Sequence, residues 1–113
     1  MNIDAYSFGS ITIDGKTYRS DLIIYPDKID HKWWRKSGHL LQMVDLRQIT
    51  GYKPEILIIG TGASELMRID PEVEKEMRSL NIKLIVKKTA EAVKKYNKLA
   101  DKDRAVCVLH LTC

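Results

Sequence analysis

The sequence predicts an α/β fold, a single compact three-layer domain with a mixed central sheet. Residues 55–59 are mostly large and apolar, follow Pro54 and run into Gly60, Thr61 and Gly62. Such a run is typical of a strand that is buried on both faces. Two helix-then-strand units follow it, and an Asp-Gly pair lies between two alternating runs near the N-terminus. We therefore expect a βαβαβ C-terminal half and an N-terminal β-hairpin, all within one domain of residues 1–113.

Composition sets the broad class of the protein. The 113 residues are 44% hydrophobic and 30% charged, with a net charge of +4. The basic charge is concentrated in residues 31–53 and 82–113. No apolar run reaches the roughly 20 residues that a membrane span needs, and Asp4 lies within an N-terminus that is neither signal-like nor transit-like. Cys107 and Cys113 would lie roughly 20 Å apart on one strand, too far for a disulfide. We expect a cytoplasmic protein with free thiols.

In the N-terminal half, the Asp-Gly pair is Asp14 and Gly15, and it predicts the hairpin at residues 8–20. Residues 22–25 form the third predicted strand. A fourth is predicted at residues 31–36, where adjacent tryptophans would point to opposite faces, so that only one of them packs into the core. Residues 41–50 contain a short helix, with Gly51 placed where a C′ residue belongs.

The first helix of the C-terminal half begins at Asp70 and Pro71, a capping side chain followed by proline at the first helical position. Its buried stripe is predicted to be Val73, Met77 and Leu80. Residues 82–86 form the next buried strand, and residues 104–111 form the closing strand beside the central one.

The second helix of this half is predicted to have Thr89 as its cap. Its charged face holds Glu91 and several lysines. Its apolar arc is predicted to consist of Ala92, Val93, Tyr96, Leu99 and Ala100. Tyr96 lies at the centre of this arc, so we expect it to be buried against the sheet.

The loop of Gly60, Thr61 and Gly62 is the first candidate ligand site, because α/β sheets bind ligands at the carboxyl ends of their parallel strands. It does not match a dinucleotide fingerprint, since Glu65 occupies the sixth position and the next strand ends in Lys87 and Lys88. A tight turn that needs a positive φ is the favoured interpretation.

Residues 31–36 combine cations with aromatic side chains, as single-stranded nucleic-acid binders also do. No nucleic-acid motif accompanies them, so we favour a half-buried strand and expect no nucleic-acid partner. His31, His39 and His110 show no metal-ligand spacing, and we predict neither a metal nor a cofactor. Catalytic residues cannot be named, and Cys113 has no assigned role.

Several short motifs carry a resemblance to a known family. They are Phe8-Gly9, the segment from Trp34-Arg35 to Gly38-His39, Gly60-Thr61-Gly62, Thr89, Ala92, Tyr96-Asn97 and the terminal His110-Leu111-Thr112-Cys113. In their order and spacing the chain resembles the small α/β domain family that includes the adipogenesis-associated domain protein and an assembly factor of mitochondrial complex I. The resemblance implies a three-layer domain with a mixed sheet. The family has no agreed activity, and its better-known members act through protein partners, so the resemblance also implies a protein partner.

We therefore predict a non-catalytic binding or scaffolding module that acts through a protein partner, with a homo-oligomer left open and no membrane partner. The alternative is a protein that binds a small anionic ligand, or an enzyme, with its site at the glycine loop. In that case Arg35 would hold a carboxylate or phosphate against free loop amides. The predicted site residues are Trp34, Arg35, His39, Gly60, Thr61, Gly62 and His110.

Overall fold

The computed structural model describes residues 1–99 and 102–113. Its helices are α1 (Arg47–Tyr52), α2 (Pro71–Ser79) and α3 (Thr89–Lys98), with 3₁₀ turns at Met43–Leu46 and Lys102–Arg104. Its strands are β1 (Ile3–Ser7), β2 (Ser10–Ile13), β3 (Lys16–Tyr18), β4 (Leu22–Ile24), β5 (Ile29–Asp30), β6 (Leu40–Leu41), β7 (Ile56–Gly60), β8 (Arg68–Ile69), β9 (Lys83–Lys87) and β10 (Ala105–Leu109). No helix in the described ranges is long and apolar enough to cross a membrane.

The central sheet is mixed, with strand order β5-β4-β10-β7-β9. β10, β7 and β9 run parallel, whereas β4 is antiparallel to β10 and β5 is antiparallel to β4. The first three strands form a separate antiparallel meander, and β6 pairs with β8 in a short parallel ladder. The predicted α/β class, the βαβαβ C-terminal half and the N-terminal hairpin are confirmed.

Two apolar clusters cover the two faces of the sheet, so that the domain has three layers. On one face, α1 and α2 pack their buried residues against inward side chains of the strands, such as Leu57 and Val106. On the other face, α3 and the meander cover Ile58 and Cys107. Because β7 and β10 lie between both layers, their side chains are buried on both faces, as their uninterrupted apolar sequences predict.

The N-terminal half differs from prediction in two places. The hairpin of β2 and β3 and the strand β4 are confirmed, but β1 was not predicted because its sequence, IDAYS, lacks a clear apolar alternation. The predicted strand at residues 31–36 is wrong: β5 ends at Asp30 and the segment continues as an irregular loop. Within that loop, Trp33 packs against the core and Trp34 is exposed, so only one tryptophan is inside, as expected.

The short helix of residues 41–50 is present as a 3₁₀ turn that continues into α1, but its predicted end is wrong. Gly51 lies inside α1, and Lys53 adopts the left-handed conformation at the C-cap with φ 59°. The amide of Lys53 bonds to the carbonyl of Thr50. The helix therefore ends two residues later than the glycine indicated.

α2 begins at Pro71 with Asp70 as its cap, as predicted. Val73 and Met77 of its predicted stripe are buried, but the prediction is wrong for Leu80, which lies at the C-cap and is solvent-exposed. β9 is a neighbour of β7, as expected, yet it is the edge of the sheet and its apolar side chains are only half-buried.

For α3, the buried arc of Ala92, Val93 and Tyr96 is confirmed, while Ala100 lies outside the described residues. Thr89 is the first residue of α3 rather than its cap, and that cap position is occupied by Lys88.

Candidate functional site

Three charged or titratable side chains meet where β10 ends. Nη1 of Arg35 lies 2.6 Å from Oδ2 of Asp21, and Nδ1 of His110 lies 2.7 Å from the same oxygen. The second carboxylate oxygen accepts the backbone N–H of Leu111 at 2.8 Å. The side chains of Arg35 and His110 are 8% and 6% exposed and that of Asp21 is 19% exposed, so the cluster is largely removed from water. Asp21 precedes β4, which brings it alongside β10.

The hydrogen-bonding roles in this cluster follow from chemistry. The carboxylate of Asp21 is an acceptor, so Nδ1 of His110 must carry a proton to make the 2.7 Å contact. Nη2 of Arg35, 3.3 Å from the same Nδ1, is also a donor and forms no hydrogen bond with it. Burial acts to raise the pKa of Asp21, but hydrogen bonds from His110, Leu111 and Arg35 outweigh it and lower the pKa to about 2.

Two nitrogen atoms of the cluster are buried without a hydrogen-bond partner among the described residues, Nε of Arg35 and Nε2 of His110. Buried polar atoms are nearly always paired, so each is a position where a ligand or water would be stabilised. The rest of the guanidinium is occupied, because Nη2 donates to the carbonyl oxygen of Gly38 at 2.9 Å. The exposed His39 is nearby, with its ring centroid 6.1 Å from that of His110.

The glycine loop is shaped by close backbone packing. Gly62 has φ +107°, a conformation that favours glycine. A Cβ there would also overlap the backbone of Cys113 and lie 2.9 Å from Cδ2 of His110. At Gly60 a Cβ would lie 2.8 Å from Cδ2 of Leu109. Gly62 is therefore required by tight contact with the segment that follows β10, whereas Gly60 is packed closely against Leu109 of β10 and Thr89 of α3.

The loop amides are already bonded within the chain. Thr61 donates to the carbonyl of Lys87 at 2.9 Å, and Ala63 and Leu66 donate to the carbonyls of Thr112 and Cys113. Gly62 donates to Oγ1 of Thr89 at 2.8 Å. The free amides that we expected at Thr61 and Gly62 are thus absent, because Lys87 at the end of β9 accepts the first and Thr89 at the start of α3 accepts the second.

Thr89 connects the loop to the charged cluster. Its buried hydroxyl donates to the carbonyl of His110 at 2.6 Å while accepting the amide of Gly62. The amide of His110 in turn donates to the carbonyl of Gly60 at 3.0 Å. The structure therefore brings Arg35, His39 and His110 together with the glycine loop. Asp21 and Thr89, which complete this arrangement, were not predicted as site residues.

Trp34 lies apart from this cluster. Its side chain is 76% exposed and lines a surface cavity of about 330 Å³ together with Trp33, Val44, Asp45 and Arg47 among others. The neighbouring Trp33 ring faces inward, with the Arg35 guanidinium carbon 4.9 Å from its centroid. Of the predicted site residues, Trp34 is thus the one that the structure places on a different surface.

Within the described part of the chain, no group of three or more His, Cys, Asp or Glu side chains could hold a metal ion. Cys107 is buried, which raises the pKa of its thiol, and Cys113 is half-buried. Neither cysteine is in a disulfide.

Comparison with known proteins decides the family. A family model described as "Protein of unknown function (DUF498/DUF598)" matches residues 3–111. The chain belongs to this family. The DUF498 family is the one that the sequence resemblance indicated, with the adipogenesis-associated domain protein and the complex I assembly factor among its members.

Solved structures support the assignment to the DUF498 family. The chain is 29% identical to a conserved hypothetical protein from Pyrococcus horikoshii, with a TM-score of 0.84 and all of both chains covered. It is 28% identical to a protein named MT938, with a TM-score of 0.79 over 99% of this chain and 98% of that one. A Bartonella henselae protein described as an outer membrane protein is 26% identical, with a TM-score of 0.79 over 98% and 94% of the two chains.

Proposed function

We propose that this DUF498 protein is a non-catalytic binding module that acts through a protein partner, with the Trp34 surface as its contact. The Trp34 surface comprises Trp33, Trp34, Val44, Arg47 and Gln48, which line one cavity. The observation that carries the proposal is the exposure of Trp34, at 76%, next to a second exposed apolar side chain, Val44. Tryptophan and arginine are enriched among the residues that contribute most to protein interfaces.

Three hydrogen bonds to Asp45 hold the Trp34 surface in place. The carboxylate of Asp45 accepts the amides of Lys36 at 3.0 Å and Gln42 at 2.9 Å. The carbonyl of Asp45 accepts Nε1 of Trp33 at 3.1 Å. A preorganised surface loses less conformational entropy when a partner binds, so these bonds favour recognition.

The experiment is site-specific photocrosslinking in the host cell. A photoreactive residue at position 34 should give a discrete adduct with another protein, and the same residue at the exposed position 75 on α2 should not. Val44→Asp or Arg47→Glu should abolish the adduct while leaving the thermal melt unchanged. Identical adducts from positions 34 and 75, or no adduct from position 34, would contradict the proposal.

A second candidate function is the binding of a small anionic ligand at the buried cluster of Asp21, Arg35 and His110. It is favoured by the unpartnered Nε of Arg35 and Nε2 of His110. We rank it second because the Asp21 carboxylate already neutralises the guanidinium, and because the loop amides are occupied. The NMR signals of the Arg35 Nε–H and the His110 ring should shift when phosphate, acetate or nucleotides are added. Unchanged signals at millimolar concentrations would rule this function out.

A further inference from the structure

β9 is an open edge of the central sheet. In the part of the chain that the structure describes, β9 pairs with β7 and with no other strand. The amide of Lys83 donates to the carbonyl of Glu55, and the carbonyl of Lys87 accepts the amide of Thr61. Since backbone groups alternate in direction along a strand, Lys83, Ile85 and Lys87 bond towards β7. The N–H and C=O groups of Leu84 and Val86 therefore point away from the sheet, towards an added strand.

The two faces of this edge offer different side-chain environments. Leu84 and Val86 lie on the α2 side, where they line a cavity of about 420 Å³ with Ile82, Glu74 and Arg78. Because side chains alternate along a strand, a neighbouring strand would direct every second side chain over this cavity. Ile82, Leu84 and Val86 give this cavity an apolar wall, so it suits an aliphatic side chain.

The opposite face of the edge is strongly basic. Lys83 and Lys87 flank Ile85 there, and both lysines are exposed. Lys87 also lines a second cavity of about 230 Å³ with four residues of α3, namely Glu91, Lys94, Lys95 and Lys98. The side chains that an added strand directs over this face would meet one acid and several cations.

Charge distinguishes the possible occupants of the edge. If a second copy of the chain paired antiparallel with β9 about Ile85, Lys83 of each copy would lie directly opposite Lys87 of the other. Like charges directly opposite each other across a ladder are destabilising. Lysines at an edge strand are also a common protection against self-association. The same charges attract a strand whose side chains on this face are acidic.

We propose that the β9 edge binds an extended acidic peptide of a partner protein as an added strand, with acidic and aliphatic side chains in alternation. Main-chain hydrogen bonds to Leu84 and Val86 would supply affinity, and the two unlike faces would supply specificity. β9 and β5 are opposite edges of the sheet, and the Trp34 surface follows β5. This proposal therefore stands independently of the Trp34 surface.

The test is an NMR titration of the full chain with a synthetic peptide of alternating glutamate and leucine, about the length of β9. The amides of Leu84 and Val86 should shift and become protected from hydrogen exchange. The double variant Lys83→Glu, Lys87→Glu should weaken binding about tenfold or more. The control is the double variant Lys16→Glu, Lys32→Glu, which changes the net charge by the same amount away from β9. Its affinity for the peptide should stay within about twofold of that of the wild type. A peptide of the same composition with its glutamates and leucines in separate blocks should bind at least about tenfold more weakly.

N-methylation of the peptide tests the backbone pairing without altering the protein. One peptide is methylated on its leucine nitrogens and another on its glutamate nitrogens. One of the two must lose binding, and which one does so reports the strand direction. If both methylated peptides bind as well as the unmodified peptide, the strand-addition proposal is overturned. It is also overturned if single-stranded oligothymidine shifts the same amides and depends on the same lysines. Dimerisation of the chain through β9 in analytical ultracentrifugation would overturn it as well.

Discussion

Oδ2 of Asp21 lies 2.7 Å from Nδ1 of His110, although the two residues are 89 positions apart in the chain. The contact joins the start of β4 to the residue that follows β10, and Arg35 binds the same oxygen from a third segment. A single carboxylate thus ties together three distant parts of the sequence. Its charge state should therefore control the stability of the whole site.

The first prediction is a pH dependence that comes from Asp21. Its pKa is about 2 in the folded protein against an ordinary value of 3.8, so the folded state favours the charged form. The resulting stabilisation, about 2 kcal/mol, is fully present above pH ~4 and is lost as the pH falls through ~2. In urea unfolding between about pH 5 and pH 2, the wild-type protein should lose roughly that much more stability than Asp21→Asn. Parallel pH profiles for the two proteins would contradict the coupling.

The second prediction concerns the hydroxyl of Thr89. Thr89→Val keeps the shape of the side chain but leaves the amide of Gly62 and the carbonyl of His110 buried without this partner. It should reduce the free energy of unfolding by about 2 kcal/mol and accelerate hydrogen exchange at Gly62. Thr89→Ser is the matched control, because it retains the hydroxyl and should cost about 1 kcal/mol or less. Equal losses in the two variants would show that the hydroxyl contributes no more than the methyl group and would contradict the prediction.

The third prediction compares two glycines. Gly62→Ala introduces a Cβ that overlaps the backbone of Cys113 at a residue with φ +107°, so it should destabilise the protein by about 2 kcal/mol or more. Exchange at the Leu66 amide should accelerate, because its acceptor is the displaced Cys113 carbonyl. Gly51→Ala lies in α1 with open space around the new Cβ and should stabilise by up to about 1 kcal/mol. Loss of stability in the Gly51 variant alone would reverse our assignment of the two positions.

The fourth prediction concerns two aromatic side chains of opposite burial. Tyr96 is 1% exposed in the last turn of α3, and burial raises its pKa to about 12. Tyr96→Ala should lower the free energy of unfolding by about 3–5 kcal/mol. Trp34→Ala removes a larger side chain that is 76% exposed, and should change stability by only about 0.5 kcal/mol. Chemical denaturation of both variants checks this, and a Tyr96 variant as stable as wild type would refute the packing of α3.

The parts of the fold that the sequence predicts are those set by local patterns. Asp14 and Gly15 determine the hairpin turn, and the uninterrupted apolar run of β7 reflects burial between two layers. The strand predicted at residues 31–36 is wrong, and within that segment Arg35 turns inward to bind Asp21. No local pattern reports such long-range partners.

The candidate site was predicted only where its residues belong to recognisable motifs. Arg35, His39 and His110 were named and lie together beside Gly60 and Gly62. Asp21 was not, because a single aspartate before a short strand carries no signal of a partner 89 residues away. Thr89 resembled a helix cap, yet its hydroxyl serves the tertiary structure instead.

The position of β10 in the sheet has a consequence for synthesis. β10 lies between β4 and β7, so it is the strand that joins the earlier half of the sheet to the later half. It also follows β4 and β7 in the sequence, so it leaves the ribosome after both of them. Nascent chains that have not reached Ala105 should hold β4 and β7 with unsatisfied edges, a state that is prone to aggregation. Premature termination before that residue should therefore yield insoluble fragments rather than a smaller folded domain.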